Sequence, residues 1–417
     1  MPLDYESCCG YFLDNELRTT IKNNTIDLSN GDVNLYTRTA DPSLFSFTTD
    51  GTGGYIITKN TSVTYSGTEF NLIMPREYNG KTVTTIADSA FKEKFGSCGL
   101  VNIVLSSEIT AISNCCFDTD QGDRPMNIGS VNLHNNIATI GDFAFSYCSG
   151  DFLNQISNSV TSIGDSAFSN CIGLTSVTIG DSVTSIGDSA FYYCIGLTGE
   201  LIIPDSVTSI GNYAFQYCSG LTGELIIPDS VTSIGNYAFQ YCSGLTSVTI
   251  GGGVTSIGEY AFQYCSGLTS VTIGNNVTSI GSSAFSSCSG LTSVYLPSSV
   301  TTISASSYSN APFYNCSSSL VIYTDVANTS SKPSGWNTYW NYYSSGSTLT
   351  VNYGYTLEQY KSVVGLTFAP DSENISSAVV EVVKESKAYQ LDNSYLNEML
   401  LDKREYVVLP KKQVKTA

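Results

Sequence analysis

His134 is the single histidine of the chain, so a Ser–His–Asp or Cys–His nucleophilic site would have to be built around it. No nucleophile elbow lies nearby, and His134 reads as a surface or capping side chain. Thirteen cysteines are present, but no C-x-x-C pair or histidine cluster offers a zinc site. Most of them recur at one spacing, three residues after a phenylalanine: Cys148, Cys171, Cys194, Cys218, Cys242, Cys265 and Cys288. That pattern reads as a column of small, buried, reduced thiols. The alternative is a disulfide ladder between coils stacked about 4.8 Å apart. Cys8 and Cys9 stand apart and read as exposed. Asp181, Asp205 and Asp229 also share one position, and three stacked carboxylates are a potential Ca²⁺ site. Turn-forming aspartates account for them as well, and Gly252 or Gly253 and Asn275 or Asn276 break the column. Neither a P-loop nor a dinucleotide fingerprint occurs. The expectation is a protein without catalytic residues, metal or cofactor.

Tyrosine is the stronger signal. Two residues after successive phenylalanines stand Tyr147, Asn170, Tyr193, Tyr217, Tyr241, Tyr264 and Ser287; two residues before them, Tyr213, Tyr237 and Tyr260 occur in the middle units. The residue after Phe is Tyr192, then Gln216, Gln240 and Gln263. The spacing predicts two tyrosine columns with glutamine between them. Tyr193, Tyr213, Tyr217, Tyr237, Tyr241, Tyr260, Tyr264, Gln216, Gln240 and Gln263 are therefore the candidate ligand-binding residues, since a large ring with a polar tip and little entropy to lose anchors proteins and sugars well. The bland alternative is that they only solvate the coil edge. Ser176, Ser247, Ser270 and Ser293, with Thr178, Thr249, Thr272 and Tyr295, form a second column set: a hydroxyl ladder for glycans or ice, or simply a solvated strand face.

The elements that hold these columns come from the repeat S-V-T-S-I-G-x-x-A-F-x-x-C-x-G-L-T-x, whose period is 23 or 24 residues. A fixed period of that length signals a solenoid in which each unit buries its apolar face only against its neighbours. Phe145, Phe168, Phe191, Phe215, Phe239, Phe262 and Phe285 mark the register, and less regular copies around Phe91, Phe117 and Phe313 extend it to ten units over roughly residues 68–323. In the unit 174–196, Leu174, Val177 and Ile179 predict a strand and Gly180-Asp181 a turn. Val183 and Ile186 predict a second extended segment ending at Gly187. Ala190, Phe191 and Cys194 have the i, i+1, i+4 spacing of one helical turn. The longer variant L-T-G-E-L-I-I-P-D-S at Leu197–Ser206 and Leu221–Ser230 predicts a bulge beside Pro204 and Pro228.

Charged residues make up 13% of the chain and the formal net charge is −18. Between Arg124 and Lys332 there is no lysine or arginine, which disfavours nucleic acid and anionic membrane surfaces as partners. No run of 18 apolar residues spans a bilayer, and the first residues lack a charged-then-apolar signal sequence. Either a signal was removed and a start Met supplied, or the protein reaches its site without one. In the flanks, Leu3–Thr20 predicts a short helix and Thr25–Phe47 alternating β. Tyr55–Lys59, Ser62–Tyr65 and Phe70–Pro75 predict leading strands, and Asn79-Gly80 a tight turn. Beyond the array, Thr348–Tyr355 predicts a strand, Ser377–Val383 strand or helix, and Asn393–Lys403 helix. The last 57 residues carry eight basic and eight acidic side chains, which marks a boundary.

The pattern L-T-S-V-x-I-P/G-x-S-V-T-S-I-G-x-x-A-F-x-x-C-x-G resembles the BspA-like, Treponema pallidum type, leucine-rich repeat. Lys332–Trp340 is similar to the closing element of that family. The resemblance implies a mostly β, right-handed superhelical solenoid of about ten coils, with parallel strands on the concave side and short strands behind. The expected organisation is an N-terminal segment over 1–53, the solenoid with its closing element over 54–345, and a tail or small attachment domain over 346–417. It also implies a non-enzymatic surface protein that binds a host or cell-surface protein or glycan. A bacteriophage virion protein and an intracellular interaction scaffold are the rival readings.

Overall fold

The computed structural model describes residues 40–364 other than 59, 64, 93, 94, 96, 97, 120–124, 154, 328–334 and 345, together with the backbone of an antiparallel pair, Tyr11–Phe12 with Tyr36–Thr37. Two compact units are present, Met1–Tyr355 and Thr356–Ala417. The first is a β-solenoid of about 11 turns with little helix. In the second, the helix Leu357–Val364 opens on a reciprocal cap. Gln359 N–H donates to Thr356 Oγ1 and Thr356 N–H to Gln359 Oε1, at 3.3 and 2.8 Å. Where a helix is expected across Leu3–Thr20, residues 11 and 12 are a strand; the expectations for Ser377–Val383, Asn393–Lys403 and Cys8-Cys9 lie outside the described residues.

The spine of the solenoid is a ladder of two-residue parallel strands. Ser162–Ile163, Ser185–Ile186, Ser209–Ile210, Ser233–Ile234, Ser256–Ile257 and Ser279–Ile280 pair in unbroken register, Ser on Ser and Ile on Ile. The ladder continues through Tyr55–Thr58 at one end, so one coil precedes those legible in the repeat pattern. Ser46–Thr49 then pairs antiparallel and closes that end. Asn79 and Gly80, at φ 50° and 70°, make the tight turn of a hairpin between Glu77–Tyr78 and Lys81–Ile86. At the other end Trp336 bridges Ile303, buries its ring and donates its indole N–H to Val300 O at 2.6 Å.

The opposite strand set is less regular. It forms sheets over Phe70–Ile73, Val101–Val104 and Ile128–Val131, and again from Gly223–Ile227 through Leu245–Ile250 to Thr350–Tyr353, with isolated bridges between. In the unit 174–196 the expected strand shrinks to one bridge, Gln155 with Thr178. Of the expected strand Ser62–Tyr65, the described residues 62, 63 and 65 are not in a strand. The extra residue of the long variant sits at the glycine, not at the proline: pairing shifts between Gly223 and Glu224, and Gly199 and Gly223 hold φ of 80° and 79°. Pro204 and Pro228 merely replace Gly180, their carbonyls accepting from Val207 and Val231 as Gly180 accepts from Val183.

Inside, ten phenylalanine rings from Phe91 to Phe313 stack in one file, with centroids 5.2–5.8 Å apart and planes within 15°. Each array cysteine is buried beside it and free. Its Sγ–H donates to the phenylalanine carbonyl of the preceding coil, as Cys194 does to Phe168 at 3.1 Å and Cys265 to Phe239 at 3.2 Å. A disulfide ladder would sacrifice every one of these bonds.

Burial pushes the Cys194, Cys265 and Cys316 thiols up to about 12 from an ordinary value of 9.0. Between those values the native chain holds protons the unfolded chain has lost, so stability is full below about pH 9 and falls as the pH climbs, by about 1.4 kcal/mol per pH unit for each such thiol. Chemical denaturation at stepped alkaline pH checks this: Cys194→Ala should flatten the slope, and an unchanged slope would refute the assignment. At the closing end, Trp336→Ala should cost about 3–5 kcal/mol, read as a lowered denaturation midpoint.

Candidate binding surface

The tyrosines lie on the segment that crosses over each phenylalanine. Its sequence spacing suggests a helical turn, but the backbone takes another route. Ser189 and Tyr193 hold φ of 57° and 59°, and the equivalent residues two before and two after the phenylalanine do the same in every coil from Phe145 to Phe285. Ala190, Tyr192 and Cys194 donate within the coil to Gly187, Ser189 and Phe191; Ser189, Phe191 and Tyr193 donate to Asn212, Ala214 and Gln216 of the next coil. Two successive turns thus bury Ala190, Phe191 and Cys194, as a helix turn would, while alternate N–H groups tie coil to coil. The side chains at the two left-handed positions stand outward on either side.

There the predicted columns form. Tyr213, Tyr237 and Tyr260 stack face to face with centroids 4.8 and 4.7 Å apart. Tyr217, Tyr241 and Tyr264 stack at 4.6 and 4.5 Å. Tyr193 does not continue the second row; it meets Tyr217 edge-on at 5.5 Å and 62°. Packing raises the Tyr237 and Tyr241 hydroxyls above their ordinary value, through desolvation first and the neighbouring hydroxyls second. The middle ring of each row, Tyr237 and Tyr241, is therefore uncharged at neutral pH.

Gln216, Gln240 and Gln263 lie between the rows with their amides engaged along the column. Gln216 donates its amide to Gln240, Gln240 to Gln263, and Gln263 to Ser286 Oγ at 2.8 Å. Gln216 and Gln240 are buried. They form an amide ladder under the rings, and their role is to hold the rows.

Other polar columns resolve into coil-to-coil bonding. Thr184, Thr208, Thr232, Thr255 and Thr278 each donate both N–H and Oγ1–H to the same threonine carbonyl of the preceding coil. Of the Ser/Thr strand column, Ser176 and Thr178 are exposed but Thr272, Ser293 and Tyr295 are buried, so no continuous flat hydroxyl face exists. Asp181, Asp205 and Asp229 are exposed turn residues, and Asp229 Oδ1 accepts from Gly252 N–H at 2.6 Å. Among the described residues no group of three or more metal-ligating side chains is present. His134 uses both ring nitrogens structurally. Nδ1 accepts from Asn136 N–H, which places the proton on Nε2, 2.8 Å from Ser106 O. Burial lowers its pKa.

One column escaped the sequence reading. Asp142, Asp165, Asp188, Asn212 and Asn236 follow the Ser-Ile-Gly segment, and each accepts the N–H of its successor one coil on at 2.6–2.8 Å. The signal was available: a short acceptor side chain after each glycine, aligned at the repeat period.

The sequence profile described as the BspA type leucine rich repeat region (6 copies) matches residues 77–198 and again 198–319, more than half of the chain. The chain belongs to the BspA-type leucine-rich-repeat family. Three crystal structures are similar to this BspA-type protein. A leucine rich cell surface protein from Faecalibacterium prausnitzii is 22% identical with a TM-score of 0.37, over 76% of this chain and 95% of that one. The T. pallidum leucine rich repeat protein is 23% identical with a TM-score of 0.34, over 61% and 91%. The pneumococcal vaccine antigen PcpA is 15% identical with a TM-score of 0.36, over 75% and 97%. No curated protein matches the chain. Among the described residues of the BspA-type chain, no helix is long and apolar enough to cross a membrane.

The amide ladder makes a specific demand on stability. Gln240→Ala strands a buried amide group on Gln216, worth about 1–3 kcal/mol, and a half-buried one on Gln263. Replacing all three glutamines by leucine together with Ser286→Ala, which removes the hydroxyl that Gln263 bonds, clears every such group and should cost less than the single change. Urea denaturation of the two variants compares them directly; the reverse order would refute the ladder.

Proposed function

We propose that this protein is a non-enzymatic binding scaffold, displayed at the cell surface, that grips a host or cell-surface protein through the two tyrosine rows. The observation that carries the reading is the pre-set geometry of six rings over three successive coils. Each ring is locked by its neighbours, so little side-chain entropy remains to be lost on binding, and aromatic anchors of that kind dominate protein interfaces. Within each row the faces are spent on one another at 4.5–4.8 Å. What solvent sees is a row of ring edges and hydroxyls, which suits the mixed surface of a protein better than the flat face of a sugar. Small polar residues flank the rows and would form the interface rim. Surface display is the location implied by the family resemblance.

The absence of lysine and arginine from 125–331 gives the array an acidic field. A partner with a basic patch would be steered toward it, with an association rate that falls as salt rises. The test is a triple variant, Tyr217→Ser, Tyr241→Ser and Tyr264→Ser, in a cell-adhesion assay. Ser287 already occupies the same left-handed position, so the fold should survive, as circular dichroism would verify. Adhesion should fall by tenfold or more, as for the loss of a hot spot of about 2 kcal/mol. Full adhesion would discard the rows as the binding element. Immunogold labelling of the native source decides location separately: envelope label supports display, and label confined to the cytoplasm or to virus particles contradicts it.

A further inference from the structure

The same turn face carries a second feature, N-terminal to the rows. At the position two before Phe, the file runs Phe143, Ser166, Ser189, Tyr213, and the two serines leave a trough three coil steps long, about 14 Å at the ordinary strand spacing. The groove has a volume of about 610 Å³, within the range of about 300–1,000 Å³ for small-ligand clefts. Tyr213 is the end ring of its row, stacked on Tyr237 on one side, and the trough lies on its other side. Phe143, 44% exposed, stands at the far end.

The floor supplies the independent observation. At the position one after Phe, polar groups pair from coil to coil. Lys92 binds Asp118 at 2.9 Å, and Gln216 leads through Gln240 and Gln263 to Ser286. Between these two stretches the pairing stops. Ser169 Oγ accepts only from its neighbour Asn170, at 2.9 Å. Ser146 is 1% exposed, lines the groove, and its Oγ has no hydrogen-bond partner among the described residues. A buried hydroxyl without a partner is costly, and this one lies at the Phe143 end of the trough.

We infer that this groove is a binding site for a short neutral saccharide. The chemistry fits that class on three counts. Open ring faces at the two ends suit the C–H faces of sugar rings, unlike the closed faces within the tyrosine rows. The floor sets hydroxyl and amide groups beside the Tyr192 ring, and Ser146 lacks a partner of the kind that a sugar hydroxyl provides. Among the described lining residues the one cation, Lys92, is paired with Asp118, so they present no unbalanced charge to an ionic ligand. The site shares Tyr213 with one tyrosine row but does not depend on the rows' role as a protein anchor.

The test is a printed array of neutral glycans probed with the full chain, followed by calorimetric titration of the bound saccharide. Ser146→Ala should weaken binding about tenfold, as for loss of one hydrogen bond, while leaving thermal stability equal or higher. Ser189→Tyr should abolish binding by filling the trough with the residue that the next three coils carry there, and its circular dichroism should match the parent. The triple tyrosine-row variant should bind the saccharide normally, which separates this site from the rows. No binding on the array would overturn the proposal, as would full binding by Ser146→Ala and Ser189→Tyr. Capture of extended peptides instead, blocked by Ser189→Tyr, would overturn the ligand class.

Discussion

Everything in this solenoid depends on one constraint: each position of a coil is satisfied by the same position, or a fixed neighbour, in the coil beside it. The phenylalanine file expresses it most plainly, since ten rings hold near-parallel planes through about 11 turns. A ring shifted by one residue would leave its file and would also misplace a thiol, a threonine hydroxyl and an Asx carbonyl that bond across the same gap. Any one of these bonds contributes only about 0.5–1.5 kcal/mol. Their shared register makes slippage cost the sum. That is why a unit too small to fold alone is stable in an array.

The constraint also explains a choice of residue that local preference opposes. Each coil in the tyrosine region places two non-glycine residues in the left-handed region, at a cost of roughly 1–3 kcal/mol apiece. Glycine would relieve that strain but carries no ring. The conformation is held by the alternate N–H groups that reach the next coil, and stacked aromatic contacts add about 0.5–1.5 kcal/mol each. Glycine is reserved for the point of closest approach instead. A Cβ on Gly187 would lie 2.6 Å from the backbone of Gly164 in the coil before.

Legibility followed from the same logic. The period, the buried Phe and Cys columns, the paired Ser-Ile segments and the register of the tyrosines could be read directly, because a repeat aligned on itself is a contact map between neighbouring coils. What could not be read was anything set by direction within a coil. Ala190, Phe191 and Cys194 have helical spacing, yet two turns with left-handed corners satisfy the same inward pattern. Gln240 has the composition of a contact residue, but its amide is spent on its own equivalents. The extra residue of the long variant was displaced to Gly223, since a positive φ absorbs an insertion that proline cannot.

Where columns are uniform, side chains complete one another and the surface closes; where they are interrupted, it opens. Tyr213 to Tyr260 is a closed segment, with rings on rings above amides on amides. Ser166 and Ser189 interrupt the outer file, and Ser146 and Ser169 interrupt the polar row beneath it, in adjoining coils. An interruption in either file alone would be repaired by its neighbours: a tyrosine above would cover a lone serine, or a glutamine below would reach it. The two breaks coincide in the coil of Phe168, at Ser166 and Ser169, and the groove opens there and into the adjoining coils. In a solenoid, a site therefore requires departures from the repeat that align across files, and the consensus alone describes the wall in which such a site is set.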